Sequence, residues 1–547
     1  MRITLVNTPD MAPSERRVPL LCPPLGLAYL AAALREQGHE PTIADGVGPG
    51  VGRFTPFLGA FVHGLPIGEL VACVAADVEL LGVGVMFSDY WPLAKRLVAA
   101  LRERFPHVPI VLGGEHASAC ARFCLEDSAA DFVVVGEGEG TLCELAAALA
   151  KNGVGARFET IPGLVFRDAR GAIRESPRRR RLRALDELPW PAWDLVPLER
   201  YVDAGLMYGV SSGRRSMVML ASRGCPYTCK FCSNETMWGT NYFRRDPKDV
   251  VDEMQHYVEL YGARDFQFHD LTFVVSRAWS LRIAREILDR GLGVTWQLVA
   301  GTRSEAIDAE VLRTFAASGC KAIYLAPETG SERMIDVIRK RVDLDELVAV
   351  ARVAKRERID IRIGAFIIYG FPEETLRDVV ATWRLLLRML AAGFDVVDCA
   401  RFSAYPGSEY HDVAVREGRI RYDDAYFLSL QRRPGLFGGA SWHPRWGGGS
   451  LFALQMVHYA IYLAGYFVVQ PRRLASFLDG VLRNRPKSRF ERFFAYSLWQ
   501  PLRRNQRRAA PPQLRSRTRV AGSAGCQSGP GSPAASSDET PLASAST

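Results

Sequence analysis

The chain has 547 residues, of which 48% are hydrophobic and 24% are charged, and its formal net charge is +9. This composition is typical of soluble globular proteins, excludes fibrous and largely disordered classes, and at this length predicts about three folded units. The positive excess lies in an arginine run at 178–183 and in the segment 503–519, neither with interleaved aromatic residues. Such runs are typical of solvated segments, so no nucleic-acid partner is predicted.

The eleven cysteines are spread along the chain and do not form a disulfide framework. The opening MRITLVNTPD lacks the charged and apolar regions of a signal peptide. We therefore expect the reducing setting of the cytoplasm.

Residues 1–155 alternate short apolar strands with amphipathic helices, which predicts a Rossmann-like domain with a parallel sheet covered on both faces. A glycine- and proline-rich loop at 46–66 interrupts the alternation. Ligands of such sheets bind beyond the carboxyl ends of the strands, where glycine lets the backbone approach a large ligand. Ordinary strand-to-helix turns would leave the same glycines, and the spacing does not decide between the two. The residues at these ends are Thr8, Ser88, Gly113, Gly114, His116, Gly136, Glu137, Gly138 and Glu139.

Residues 156–210 are predicted to form a connector that contains a hairpin and the arginine run. Residues 211–440 hold a second strand–helix series whose spacing predicts six parallel strands in a partial (β/α)6 barrel. Functional groups are again expected at the carboxyl ends of the strands. The cysteine group and Asp270, Arg303, Glu328 and Glu373 lie there.

Residues 441–508 are predicted to form a helical C-terminal region. Residues 450–470 carry no Lys, Arg, Asp or Glu and are long enough to span a bilayer. Gln455, His458 and several tyrosines suit a protein core or a membrane surface better, so a buried helix is the default and peripheral membrane contact through 450–473 the alternative. Residues 509–547 are mainly Ala, Ser, Pro and Gly, which predicts a disordered tail.

The sequence CPYTCKFC places three thiols on one loop after a strand, at Cys225, Cys229 and Cys232. Zinc sites usually take four ligands in two pairs, and no second pair follows at the expected spacing. Three thiolates can instead hold three irons of a cubane cluster and leave the fourth iron open to a chelating small molecule. We therefore predict an iron–sulfur site.

This motif, including Phe231 before the third cysteine, resembles the [4Fe-4S] motif of the radical S-adenosylmethionine (SAM) enzymes. The resemblance continues through FHDLTF, APETGS, IGAFIIYGFPEET and YPGSEY. It implies that SAM contacts the strand ends. The implied SAM-binding residues are Phe231, Asp270, Thr272, Arg303, Glu328, Ile367, Gly370 and Glu373.

The front domain is similar to the cobalamin-binding domains that precede such cores, through PPLGLAYLAAALREQGHE, LGGEH and VVVGEGE. The resemblance implies that the residues given above for the strand ends of this domain bind cobalamin, together with Pro24 and Gly26. The D-x-H-x-x-G signature that supplies an axial histidine to cobalt is absent. His116 is therefore expected near the corrin rather than on the cobalt.

The subgroups that the sequence resembles are anaerobic Mg-protoporphyrin ester cyclases, hopanoid methylases and natural-product methylases. The resemblance implies a 5′-deoxyadenosyl radical that abstracts hydrogen from an unactivated carbon of a secondary metabolite or lipid-like substrate, which methylcobalamin then methylates. It also implies an electron donor, either a reductase or a protein of flavodoxin or ferredoxin type. Two alternatives stay open: cobalamin-assisted oxidation, cyclisation or rearrangement, and a non-catalytic sensor that binds cobalamin or the cluster.

Overall fold

The computed structural model describes residues 1–13, 15, 21–153, 157–205, 214–431 and 440–469, with residues 474, 477–479 and 482 beyond them. The predicted disordered tail at 509–547 lies outside the described residues, as do the arginines of 503–519.

The front domain is built on a parallel sheet, as predicted. Its strands are β1 (Arg2–Asn7), β2 (Asp10–Ala12), β3 (Glu40–Asp45), β4 (Phe54–Phe57), β5 (Ala60–His63), β6 (Leu80–Gly84), β7 (Ile110–Gly113), β8 (Phe132–Val134), β9 (Leu164–Arg167) and β10 (Ile173–Glu175). Strands β3, β1, β6, β7 and β8 lie side by side in this order and all pair in parallel. Their apolar residues are buried on both faces because helices cover the sheet.

The helices of this domain follow the predicted alternation with the strands. They are α1 (Leu25–Glu36), α2 (Ile67–Ala72), α3 (Trp91–Arg104), α4 (Glu115–Ala119), α5 (Ala121–Glu126) and α6 (Glu139–Asn152).

Two segments of the front domain differ from the sequence prediction. The predicted loop at 46–66 contains β4 and β5, which pair with β2 in a small antiparallel sheet. The hairpin assigned to the connector, β9 and β10, extends the main sheet because β9 pairs antiparallel with β8. The hairpin of β4 and β5 is local, but its pairing with β2, like the pairing of β9 with β8, joins strands distant in sequence, which a local pattern does not reveal.

The second domain is the predicted partial barrel. Its strands are β11 (Ser216–Met219), β12 (Ser222–Arg223), β13 (Phe243–Arg244), β14 (Asp265–Phe268), β15 (Thr295–Thr302), β16 (Cys320–Glu328), β17 (Arg362–Tyr369) and β18 (Val396–Arg401). Six of them form one parallel sheet in the order β11, β14, β15, β16, β17 and β18, while β12 and β13 form a separate antiparallel pair. Strand order follows chain order, as right-handed strand–helix units require.

Further helices run from the connector through the barrel domain to the C-terminal region. They are α7 (Leu198–Ala204), α8 (Asn234–Trp238), α9 (Pro247–Tyr261), α10 (Arg277–Asp289), α11 (Ala309–Ala317), α12 (Glu332–Val337), α13 (Leu344–Arg356), α14 (Leu376–Ala392), α15 (Glu409–Arg416), α16 (Asp424–Ser429) and α17 (Gly448–Val469).

Helix α17 is the long apolar segment of the C-terminal region. It packs against α14, β17 and β18, and its buried side chains include Leu451, His458 and Tyr462. Its opposite face is exposed, so the default prediction of a buried helix holds for one face only. Among the described residues, it is the one helix whose length and composition would allow it to cross a membrane.

Candidate functional site

The cysteine loop runs from β12 to α8, at the carboxyl end of the barrel strands. Cys232 N donates to Cys229 O at 3.0 Å, and the Asn234 side-chain Nδ2 donates to Cys225 O at 3.3 Å, so one backbone bond and one side-chain bond hold the three cysteines in one tight loop. Burial raises the pKa of the Cys225 and Cys229 thiols, and the positive charge of nearby basic side chains acts in the opposite direction.

The donor set fits an iron–sulfur cluster. Within the described ranges, no three His, Cys, Asp or Glu side chains converge on a point that one metal ion would occupy. A cubane cluster does not need such a point, because its three thiolates bind three separate irons. The cysteine loop therefore has the ligands for a cluster and leaves one iron for a small molecule.

A buried ion pair lies beside this loop. Glu328 ends β16 with a φ of +65°, and its Oε1 lies 2.8 Å from Lys340 Nζ. Both side chains are largely buried, and Lys340 Nζ lies 5.8 Å from the centre of the Phe231 ring. The sequence pointed to Glu328 and Phe231 but missed Lys340, which lies on a loop between two helices and belongs to no recognisable motif.

Arg303 contacts both the cysteine loop and the loop that carries Lys340. Its guanidinium lies 4.1 Å from the centre of the Tyr227 ring and donates to Lys340 O at 2.7 Å. Arg303 is also paired with Glu305, so its bonds go to the protein. Its position indicates that it supports Lys340 and the cysteine loop.

Asp270 and Thr272 follow β14 and differ in how their polar atoms are used. Asp270 is buried and accepts hydrogen bonds from the Ser222 hydroxyl and from Ala221 N, the latter at 3.2 Å. Burial raises the pKa of Asp270 to about 6. Thr272 is also buried, but its Oγ1 has no hydrogen-bond partner among the described residues. Of the two, only Thr272 has a polar atom left over for a ligand.

Ser304 was not identified from the sequence. It lies two residues beyond the end of β15, is 3% exposed, and its Oγ has no hydrogen-bond partner in the described part of the chain. The available signal was its position after a strand, next to the predicted Arg303. Two unsatisfied buried hydroxyls at neighbouring strand ends suit a polar ligand such as SAM.

The segment predicted to contact SAM through Ile367, Gly370 and Glu373 is tightly built. The Ile367 side chain is fully buried in the barrel core. Gly370 has a φ of +93°, and its N donates to Glu374 Oε2 at 2.6 Å. Glu373 Oε2 accepts from the Tyr410 hydroxyl at 2.7 Å, which ties this segment to α15. Any ligand contact here therefore falls to the backbone rather than to these side chains.

In the front domain, polar side chains at the strand ends bond to the protein itself. The Thr8 hydroxyl donates to Gly84 O at 2.8 Å. Ser88 Oγ lies 2.9 Å from His116 Nδ1, and both residues are fully buried. Burial lowers the pKa of His116 to about 3, so the ring is neutral, and the rings of Trp91 and Phe427 enclose it. His116 Nε2, however, has no hydrogen-bond partner among the described residues, so it stays a prediction that His116 is not an axial ligand of cobalt.

Glycines near the strand ends of the front domain either leave open space or allow close backbone contact. A Cβ added at Gly26 or Gly113 would meet no atom within 4 Å. Gly114 has a φ of +115°, and a Cβ there would lie 2.5 Å from Val85 O. Pro24 precedes α1 and turns the chain into that helix. The strand ends therefore present backbone and open space, which fits a large ligand such as a corrin.

The GEGE segment that follows β8 is an anchor between the domains. Glu137 Oε2 lies 2.7 Å from Arg181 Nε, and Arg223 bridges Glu137 and Glu139 at 3.3 and 2.8 Å. All these side chains are nearly buried, so the arginine run is not wholly solvated, contrary to the sequence prediction. Arg223 ends β12, two residues before Cys225, so the pairing ties the front domain to the start of the cysteine loop. The two neighbouring glycines, Gly136 and Gly138, let this segment pack closely against Met237 O and Leu30.

The front domain also touches the site directly. Ser88 N donates to the Tyr405 hydroxyl at 2.6 Å, and Ser233, next to Cys232, donates to Glu115. The carboxyl ends of the two sheets therefore face each other across the cysteine loop.

Comparison with known families and proteins agrees with this architecture. Residues 16–146 match the B12 binding domain, and residues 219–386 match the radical SAM superfamily. An uncharacterized methyltransferase of Pyrococcus horikoshii is 29% identical over 76% of this chain and 83% of its own length. The anaerobic magnesium-protoporphyrin IX monomethyl ester cyclase of Synechocystis is 29% identical over 62% of this chain and 63% of its own length.

Solved structures share the fold. The radical SAM methyltransferase TsrM of Kitasatospora setae, with cobalamin and a [4Fe-4S] cluster bound, has a TM-score of 0.61 at 20% identity and covers 84% of this chain and 90% of its own. The two family matches confirm the predicted domain order, and they support the predicted cofactors, cobalamin for the first domain and SAM with its cluster for the second. The chain therefore combines a B12-binding domain with a radical SAM domain that follows it.

Proposed function

We propose that this enzyme methylates an unactivated carbon of a small-molecule substrate, held between the front-domain strand ends and the cysteine loop. The observation that carries the proposal is the direct contact of these two edges, through Ser88 with Tyr405 and Glu115 with Ser233. Transfer between two cofactors requires that their sites share one enclosed space. Two relatives whose names state methyl transfer support the reaction type, among them cytidylyl-2-hydroxyethylphosphonate methyltransferase of Streptomyces wedmorensis, which is 25% identical over 80% of this chain and 87% of its own length.

The cluster, SAM and cobalamin each have residues in this chain that are suited to hold them. The three loop cysteines would hold the cluster, the hydroxyls of Thr272 and Ser304 would bind SAM, and the open backbone at Gly26 and Gly113 would receive cobalamin. When bound, these groups supply an electron, a hydrogen-abstracting carbon radical and a transferable methyl group.

The chain itself positions these groups and excludes water. Lys340 places a buried positive charge beside the Cys229 thiol and favours its ionised form, whereas burial and the paired Glu328 raise the pKa of this thiol. Phe231 packs on Phe371 with ring centres 5.6 Å apart, and this apolar contact keeps water from one side of the loop.

The electron comes from a separate small redox protein of flavodoxin or ferredoxin type. The other cysteines of the described ranges lie on different elements, so they do not assemble a second cluster site. We infer a cytoplasmic setting because a reducible cluster requires reducing conditions.

The test is anaerobic turnover of the reconstituted enzyme with reductant, SAM and candidate substrates. We expect 5′-deoxyadenosine and S-adenosylhomocysteine to form together with a methylated product. Cys229→Ala removes a cluster ligand and should lower 5′-deoxyadenosine formation by about 10³-fold or more, since the chemistry is the cofactor's. Cys143→Ala, a half-buried cysteine on α6, is the matched control and should keep activity and iron content.

Two other outcomes would contradict methyl transfer. The similarity to the magnesium-protoporphyrin cyclase favours a second candidate, cobalamin-assisted oxidation or ring formation, which would give 5′-deoxyadenosine without S-adenosylhomocysteine. If neither 5′-deoxyadenosine nor S-adenosylhomocysteine forms with any substrate, the protein is a sensor rather than an enzyme.

A further inference from the structure

The outward face of α17 is apolar from Leu451 to Val468. Water-facing helix surfaces normally carry polar or charged residues opposite the buried stripe. Here the exposed positions within this stretch recur at helical spacing and none is polar. They are Ala453, Met456, Val457, Ala460, Ala464 and Val468.

The polar side chains of α17 bond inward to the barrel instead. Gln455 Oε1 accepts from Arg401 Nε at 2.8 Å, and the Tyr462 hydroxyl donates to Asp395 O at 2.7 Å. His458 is fully buried, with its ring nitrogens 3.0 Å from the Tyr369 hydroxyl and from Val397 O. These three polar side chains therefore point to the barrel, among apolar contacts, while the outward face from Leu451 to Val468 has no polar side chain.

The same packing argues against a transmembrane orientation for α17 in this fold. Its inner face contacts the barrel from Leu451 to Tyr462, and at Gly465 an added Cβ would lie 2.7 Å from Leu390 Cδ1 of α14. A helix held this closely along its length is not surrounded by lipid. Only its outward face is available, which suits a helix lying on a surface.

The chain that follows α17 is strongly basic. Residues 471–519 contain 14 Lys and Arg against two Asp and Glu, so they carry more positive charge than the whole chain's net +9. Leu474, Leu478 and Leu482, described residues within this stretch, are exposed at four-residue spacing. An exposed apolar face and a polybasic segment are the two signals that together give stable binding to anionic membranes.

We propose that the outward face of α17 docks the enzyme on the surface of an anionic lipid bilayer. This apolar face enters the headgroup region, and the positive charge of the sequence that follows α17 favours anionic lipid over neutral lipid. A second copy of the chain is a poorer occupant, because it would bring an equal positive charge to the same face. The proposal is independent of the reaction that the enzyme catalyses.

The test is flotation of the full-length, cluster-loaded enzyme with two kinds of vesicle: phosphatidylcholine alone, and phosphatidylcholine mixed with phosphatidylglycerol. We expect binding to the mixed vesicles that weakens as salt is raised. The double variant M456E/V457E places two charges on the exposed apolar face and should bind at least about tenfold more weakly. Leu260→Glu, at an exposed leucine of α9, is the matched control and should bind like the wild type.

Iron content and 5′-deoxyadenosine formation distinguish lost binding from misfolding, and both should be unchanged in M456E/V457E. Equal binding of M456E/V457E and wild type, equal binding to both vesicles, or no binding would overturn the proposal. A salt-sensitive dimer that disappears in M456E/V457E, without vesicle binding, would assign the face to self-association instead.

Discussion

The two sheets use the same edge in different ways. At the barrel strand ends, the buried hydroxyls of Thr272 and Ser304 are left without protein partners among the described residues. At the front-domain strand ends, Thr8, Ser88 and Glu137 bond to the protein, and the glycines leave open backbone. This comparison predicts that the barrel recognises its ligand through side chains and that the front domain recognises its ligand mainly through shape and backbone.

The largest expected effect comes from Glu374, a further buried group at the barrel end. Burial raises the pKa of Glu374 to about 8 from a usual value of 4.5, and its Oε1 has no hydrogen-bond partner in the described ranges. The folded enzyme therefore holds a proton that the unfolded chain releases, so stability falls as pH rises from about 4.5 to about 8. Glu374→Gln cannot ionise and should be more stable than wild type at pH 8, by about 1.4 kcal/mol for each pH unit that separates the folded and unfolded pKa values.

The measurement is the chemical denaturation midpoint of both proteins across that pH range. The two midpoints should converge near the usual carboxyl pKa and separate as pH rises. Parallel profiles would show that Glu374 ionises freely in the folded enzyme.

The cysteine loop and the strand ends could be predicted because their chemistry is local in sequence. Cys225, Cys229 and Cys232 lie within one loop, and the rule that ligands bind at strand carboxyl ends needs only strand positions. The pairing of Arg223 with Glu137 could not be predicted from the sequence, because the two residues are 86 positions apart. The position of Glu137 at a strand end instead suggested a contact with cobalamin. Lys340 was hidden for the same reason, since it meets Glu328 only in the folded chain.

A second prediction concerns the claim that front-domain carboxylates are structural. Glu137 is nearly buried between Arg181 and Arg223, so Glu137→Gln leaves two guanidinium groups short of negative charge and should lower stability by about 3 kcal/mol. Cobalamin content per folded protein should not change. Glu144→Gln breaks an exposed pair with Arg179 and should cost about 0.5 kcal/mol. Loss of cobalamin from Glu137→Gln at unchanged stability would assign this carboxylate to the ligand.

The glycine edge gives a third prediction. Gly113→Ala adds a methyl group where no protein atom lies within 4 Å, so the fold should tolerate it. If the corrin occupies that space, cobalamin affinity should fall about tenfold, because overpacking costs roughly 1–3 kcal/mol. Gly68→Ala, in equally open space on α2, is the control, and cobalamin titration followed by absorbance is the measurement. Equal affinities would place the corrin elsewhere.

The smallest effect tests the barrel side of the comparison. Thr272→Val keeps shape but removes an unpartnered buried hydroxyl, so the protein without SAM should be as stable as wild type or slightly more stable. SAM affinity should fall about fivefold, since one hydrogen bond contributes roughly 1 kcal/mol. Thr382→Val is the opposite control: its hydroxyl accepts from Gly330 N and donates to Asp378 O, so this change should lower stability and leave SAM affinity unchanged. Unchanged SAM binding by Thr272→Val, measured by equilibrium dialysis, would remove the side-chain recognition that separates the barrel from the front domain.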